Sequence, residues 1–128
     1  MNSKQSILST LYCLLFFCLV TNANAGDPLK CEKRNSPARS TISVKAEGLV
    51  PSTIYTVDVS SGLNSASVTG TADLFGDIEV DLDSNRNDIL AGATALAPNF
   101  IVGDVTAKVI KQLGGDVVVN LTAICRIR

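Results

Sequence analysis

Asp77-Ile78-Glu79-Val80-Asp81-Leu82-Asp83 sets acidic and aliphatic side chains in strict alternation. Successive side chains on a strand point to opposite faces, so this stretch turns Ile78, Val80 and Leu82 to one side and four carboxylates to the other. On a helix the same order would scatter both sets around the axis. The period of two recurs on either side. Ile42, Val44 and Ala46 alternate with Ser43, Lys45 and Glu47, and Tyr55, Val57 and Val59 alternate with Thr56 and Asp58. Near the end, Val117, Val119, Leu121, Ala123, Cys125 and Ile127 share one face. Alternation broken by turn residues roughly every ten positions predicts an antiparallel all-β domain.

Two hairpins follow from matching apolar faces. A loop at Leu74-Phe75-Gly76 would pair Ala72 with Ile78, Gly70 with Val80 and Val68 with Leu82, with Gly76 at positive φ. A three-residue loop at Gly114-Gly115-Asp116 would pair Val109 with Leu121, Ala107 with Ala123 and Val105 with Cys125. A two-residue loop there would set core positions against polar ones. Ser84–Ala97 is the one helical candidate. Asn85 or Asn87 would cap it, Gly92 and Pro98 limit it to a turn or two, and it would cross between two sheets. Residues 26–40, with Pro28, Pro37 and several charges, read as an irregular arm held by Cys31.

The segment Gly48-Leu49-Val50-Pro51-Ser52-Thr53-Ile54-Tyr55-Thr56-Val57-Asp58-Val59 resembles the L-x-P-x-T-x-Y-x-V-x-V stretch of fibronectin type III and related immunoglobulin-like sandwiches. The resemblance implies that Tyr55 is a corner tyrosine, its hydroxyl reaching back to the backbone, and that Pro51 fixes the preceding turn. In fibronectin type III domains the stretch comes late, whereas here 69 residues follow Val59 and no Trp precedes it. With Thr71-Ala72-Asp73-Leu74-Phe75-Gly76-Asp77 after it, the pattern looks more like bacterial extracellular immunoglobulin-like domains. The implied fold is an antiparallel immunoglobulin-like β-sandwich of about seven strands. Such domains mostly serve as binding, adhesion or spacer modules, although a fold by itself sets no function.

Net charge is −1 over the 128 residues, but it is unevenly laid out. Asp58 to Asp104 holds eight acids against Arg86 alone, and basic residues gather towards both ends. Asp77, Asp81, Asp83 and Asn85 are the candidate calcium ligands, because calcium takes several convergent oxygens. Same-face residues on a strand stand about 6.8 Å apart, so only a loop could bring them together. Asp81-Leu82-Asp83-Ser84-Asn85 begins like an EF-hand loop, then puts Arg86 at the required Gly and Gly92 at the bidentate Glu. The readings of this face are a solvated surface, which is preferred, pairing with basic strands or a basic partner, and calcium binding. Phe75 at a loop tip is the candidate contact residue; folding back over the end of the sandwich is the alternative.

The chain has no His and no Trp, which removes most triad, general-base and zinc chemistry. No G-x-S-x-G elbow is present. Beyond the first 25 residues only Tyr55, Phe75 and Phe100 are aromatic, too few for a usual sugar-stacking platform. The near-balanced charge leaves no basic excess of the kind that nucleic-acid binding requires.

Residues 1–25 read as a secretory signal: Lys4 near the start, an apolar run from Ile7 to Val20, then Ala23-Asn24-Ala25. Cys13 and Cys18 would leave with it. Residues 26–128 then form one domain with a net charge of −2. Cys31 and Cys125 remain as an even pair 94 positions apart, which in an exported protein reads as a disulfide. In the chain-entropy model such a closure stabilises by about 4 to 5 kcal/mol. The expectation is a secreted or periplasmic, non-enzymatic binding or structural module. It would have no cofactor unless calcium, an unknown protein or surface partner, and no membrane insertion once the signal is cleaved. A calcium-dependent adhesion module, a pilus-type subunit and a secreted inhibitor or enzyme are the alternatives.

Overall fold

The computed structural model describes residues 27–128; the proposed signal, residues 1–25, lies outside the described residues. The chain runs β1 (Leu29–Asn35), β2 (Ala38–Ala46), β3 (Ile54–Ser61), β4 (Asn64–Thr71), β5 (Ile78–Asp83), α1 (Arg86–Leu90), β6 (Thr94–Ala95), β7 (Val105–Lys111), β8 (Val117–Ala123) and β9 (Arg126–Ile127). One sheet has the order β9-β1-β2-β5-β6 and the other β4-β3-β7-β8. The two-residue strands β6 and β9 run parallel to their neighbours, and the remaining pairs are antiparallel. The protein is thus all-β with two packed sheets, and nine strands rather than about seven occur among the described residues.

The alternation places the core. Across β2 and β5, Ile42 faces Leu82, Val44 faces Val80 and Ala46 faces Ile78. Across β3 and β7, Val57 faces Val109 and Val59 faces Ala107. These two inner faces are buried against each other, and each covered aliphatic side chain contributes roughly 1.5–3 kcal/mol. Two serines sit where β2 and β3 would continue the apolar rows. Ser40 Oγ donates to Pro98 O at 2.8 Å and accepts from Ile101 N–H at 3.2 Å. Ser61 Oγ donates to Asp104 O at 2.9 Å and accepts from Val102 N–H at 2.7 Å. Each buried hydroxyl is used as donor and as acceptor, which avoids the cost of an unmade bond. Together they hold the segment 96–104 across one end of the sandwich, where Leu96, Phe100 and Ile101 close the core.

Several sequence expectations change. Residues 29–40 are not an irregular arm: β1 pairs with β2 along its whole length, from Leu29–Val44 to Asn35–Ala38. The segment around Leu74-Phe75-Gly76 is not a hairpin. β4 pairs with β3 and β5 pairs with β2, so residues 72–77 carry the chain from one sheet to the other. Gly76 does take positive φ, at 80°. The β7–β8 hairpin forms two residues out of the expected register, with Val105 opposite Ala123, Ala107 opposite Leu121 and Val109 opposite Val119. Its loop is Gln112 to Gly115, closed by Lys111 N–H to Asp116 O at 2.9 Å and Gly115 N–H to Lys111 O at 3.1 Å. Cys125 accordingly lies beyond β8, where the chain leaves for the other sheet. Helix α1 is one short turn capped by Asn85, whose side chain accepts from the N–H groups of Asn87 and Asp88. It joins β5 to β6 within one sheet, and residues 96–104 make the crossing instead.

Candidate binding surface

The Cys31 and Cys125 sulfurs are bonded, 2.01 Å apart. The bond ties the first long strand to the segment between β8 and β9, so both ends of the domain are fastened at one edge.

The acidic face divides into unlike parts. Glu79 lies opposite Lys45 and Asp81 opposite Ser43 on the outer side of β5, both exposed. Asp83 is buried. Arg39, diagonal to it on β2, grips its carboxylate through Nε at 3.0 Å and Nη2 at 2.7 Å, and the same Nη2 reaches Asp88 on α1 at 2.9 Å. Asn85 N–H donates to Asp83 Oδ1 at 2.9 Å. Burial pushes the Asp83 carboxyl up, but the Arg39 hydrogen bond, the backbone N–H groups of Asn85 and Ser84 and the guanidinium charge outweigh it. The net shift is below the ordinary carboxylate range.

The candidate calcium ligands Asp77, Asp81, Asp83 and Asn85 do not converge. Asp77 and Asp83 are six residues apart on one extended segment, about 20 Å. Asp83 is committed to Arg39, and Asn85 to the cap of α1. Among the described residues no three metal-binding side chains stand close enough to share an ion. Arg39 is the residue that sequence reasoning missed. Its link to Asp83 depends on β2 pairing with β5, and no local pattern reveals a partner 44 positions away.

Several strongly exposed apolar groups stand together at the end of the sandwich opposite the 96–104 segment, while Leu63 and Ile124, more exposed still, stand elsewhere. Leu74 and Phe75 are 79% and 85% exposed. Their corner is held from within: Asp73 Oδ1 accepts from Phe75 N–H at 2.8 Å and Asp77 N–H at 3.0 Å, and Gly76 N–H donates to Asp73 O at 3.1 Å. Gly76 O accepts from Leu49 N–H at 2.9 Å. A Cβ at Gly76 would run into the Leu49 carbonyl, so only glycine suits both the positive φ and the close approach.

The neighbouring turn, 47–53, carries Pro51. Buried Tyr55 accepts from Val50 N–H through its hydroxyl at 3.0 Å. Ser52 N–H donates to Ala72 O at 3.0 Å and Ala72 N–H to Thr53 O at 2.9 Å, so the two corners are tied side by side. Val50, Ile54 and Leu113 add exposed apolar surface at this end. Beside it lies a shallow hollow with Glu47, Asp73, Asp77 and Glu79 around Lys45. Phe75 was legible as a candidate contact from its place in a turn. Leu74, Val50 and Leu113 emerge only once three separate turns are seen to share an end.

Such a surface can bind through a fixed apolar tip with an acidic margin. The chain matches no protein-family model, no curated protein and no solved structure. Among the described residues no helix is long and apolar enough to cross a membrane.

Proposed function

We propose that the chain is an exported, non-enzymatic binding module of immunoglobulin-like fold, which engages a protein or surface partner through the Leu74–Phe75 end. The observation that carries this reading is the Leu74–Phe75 pair itself: two large apolar side chains in water on a corner braced by Asp73 and Leu49. Apolar anchors on a preordered backbone lose little entropy on binding and dominate contact energies. The acidic hollow alongside favours a partner with an apolar pocket and a basic rim.

Support for the fold comes from strand order. The first, second and fifth long strands share a sheet, as A, B and E do in an immunoglobulin-like sandwich, and β4-β3-β7-β8 stand in the C′-C-F-G order. The tyrosine bond falls at the β2–β3 corner, earlier in the chain than the E–F corner of antibody domains. Export is supported by the Cys31–Cys125 bond, which suits an oxidising compartment.

The test is affinity capture from the envelope and secreted fractions of the source cells, with wild-type protein beside Leu74→Asp, Phe75→Asp and a Leu63→Asp control in the β3–β4 turn at the opposite end. The expected result is a partner retained by wild type and control and lost from both corner variants. Capture unaffected by Leu74→Asp and Phe75→Asp would refute the assignment of this end.

A further inference from the structure

The Leu74–Phe75 end, apolar with an acidic margin, suits a partner that is apolar with a basic rim, and the chain carries such a surface itself. A hollow of about 520 Å³ opens beside the disulfide, between the outer side of β1 and β2 and the segment 124–128. Ile124, 87% exposed, stands in its lining. Lys30 and Arg126 line it too, both exposed, and neither joins an ion pair among the described residues. Arg128 is bound to Glu32 there, and Asp27 is the other acid, so three bases stand against two acids. The tip has the opposite balance, with Glu47, Asp73, Asp77 and Glu79 around Lys45. Both surfaces are held in place. The segment 124–128 is fastened to β1 by the Cys31–Cys125 bond, by the β9 pairing and by Arg128 N–H donating to Lys33 O at 2.9 Å. The tip is braced by Asp73 and by the Leu49 N–H bond to Gly76 O.

We infer that the partner of the Leu74–Phe75 tip is a second copy of this chain, which receives the tip in its Ile124 hollow. The inference rests on the tip being the binding end. Leu74 and Phe75 cover the second copy's Ile124, so exposed apolar surface on both copies leaves the water. The carboxylates beside the tip come to Lys30 and Arg126, which have no acid of their own to answer them. Charge also selects this pairing over its alternatives. Tip against tip sets four carboxylates against four, and hollow against hollow sets Lys30 and Arg126 against their own kind. Such like-charge contacts are what suppress a wrong arrangement. The favoured contact joins unlike surfaces, so it is heterologous, and copies add head to tail. A copy that loses one surface keeps the other, which makes the two halves of the contact separable.

The test is analytical ultracentrifugation of the exported, oxidised protein over a concentration series, at low and high salt. Reversible association is expected, weaker at high salt because exposed charges are screened. Phe75→Asp, and separately Lys30→Glu with Arg126→Glu, should each raise the Kd about tenfold or more, while Leu63→Asp leaves it unchanged. The deciding arm mixes the two defective proteins in equal amounts. Phe75→Asp retains the hollow and the Lys30→Glu, Arg126→Glu protein retains the tip, so together they should form a 1:1 pair that neither forms alone. A mixture that stays monomeric, or association indifferent to the hollow variant, would overturn the inference. A wild-type protein monomeric at every concentration would overturn it too, yet the tip assignment would stand if capture from the source cells still depended on Leu74 and Phe75. Association that persists in Phe75→Asp, together with capture that persists in it, would sink both readings.

Discussion

Tyr55 fills the core with its ring and uses its hydroxyl to hold the turn before it, accepting from Val50 N–H. Tyr55→Phe keeps the ring and leaves that N–H unpaired, so it should lower unfolding free energy by about 1–2 kcal/mol in urea denaturation, with little change in slope. Asp83 gives a pH-dependent prediction. Its carboxyl titrates lower in the folded protein than in the unfolded chain. Its stabilising contribution is therefore full above the ordinary carboxylate range and is lost as pH falls through the lowered folded value. Asp83→Asn should flatten the acid limb of a stability–pH curve, and an unchanged limb would show that other carboxylates govern it. At this scale the sequence was legible where a residue's role is local. Tyr55 and Pro51 belong to one short segment, and Asn85 caps the turn it begins. The role of Asp83 comes from the distant Arg39, so its place in the acidic alternation disguised a buried, ion-paired carboxylate as a candidate cation ligand.

At the level of elements, the alternating stretches in β2, β3 and β5 became strands with the expected faces inward. The stretch from Val117 to Ile127 is not one strand: it ends at Ala123, leaves Val117 exposed and carries Ile127 to the other sheet, also exposed. Which strands pair was less legible still. Sliding one strand by two residues keeps every side chain on its face, so apolar matching fixes register only to within two. The β7–β8 hairpin shows this: from Val119 to Ala123 its faces are as expected and its pairs are displaced by two, while a bulge at Val118 takes Val117 out of the row. Residues 72–77 carry every mark of a hairpin loop, yet they bridge the two sheets. The two strands still meet across the sandwich, where a Cβ at Gly70 would come 2.9 Å from Ile78 Cδ1 and 3.9 Å from Cγ1 of Val80, its expected partner. Apolar complementarity does not distinguish neighbours within a sheet from neighbours across the core. Gly76 is the keystone of that corner. Gly76→Ala adds both positive-φ strain and a collision with the Leu49 carbonyl, and should cost about 2 kcal/mol or more in unfolding free energy. A neutral Gly76→Ala would mean that the 72–77 corner does not pass against Leu49 in solution.

Over the whole molecule, the near-zero charge conceals an arrangement. Acidic residues crowd the middle of the chain, while the disulfide gathers basic residues of both ends at one edge, around Lys30, Arg126 and Arg128. Export, a closed Cys31–Cys125 bond and a single sandwich from residue 26 onward form the centre of this account. Intact mass reads the first two together. The full 128-residue chain is expressed, recovered from the exported fraction, and treated with a thiol-alkylating reagent before and after reduction. The account predicts a chain beginning at Gly26, unmodified before reduction and carrying two alkyl groups afterwards. A chain that retains residues 1–25, or one that takes up two alkyl groups without reduction, would contradict it.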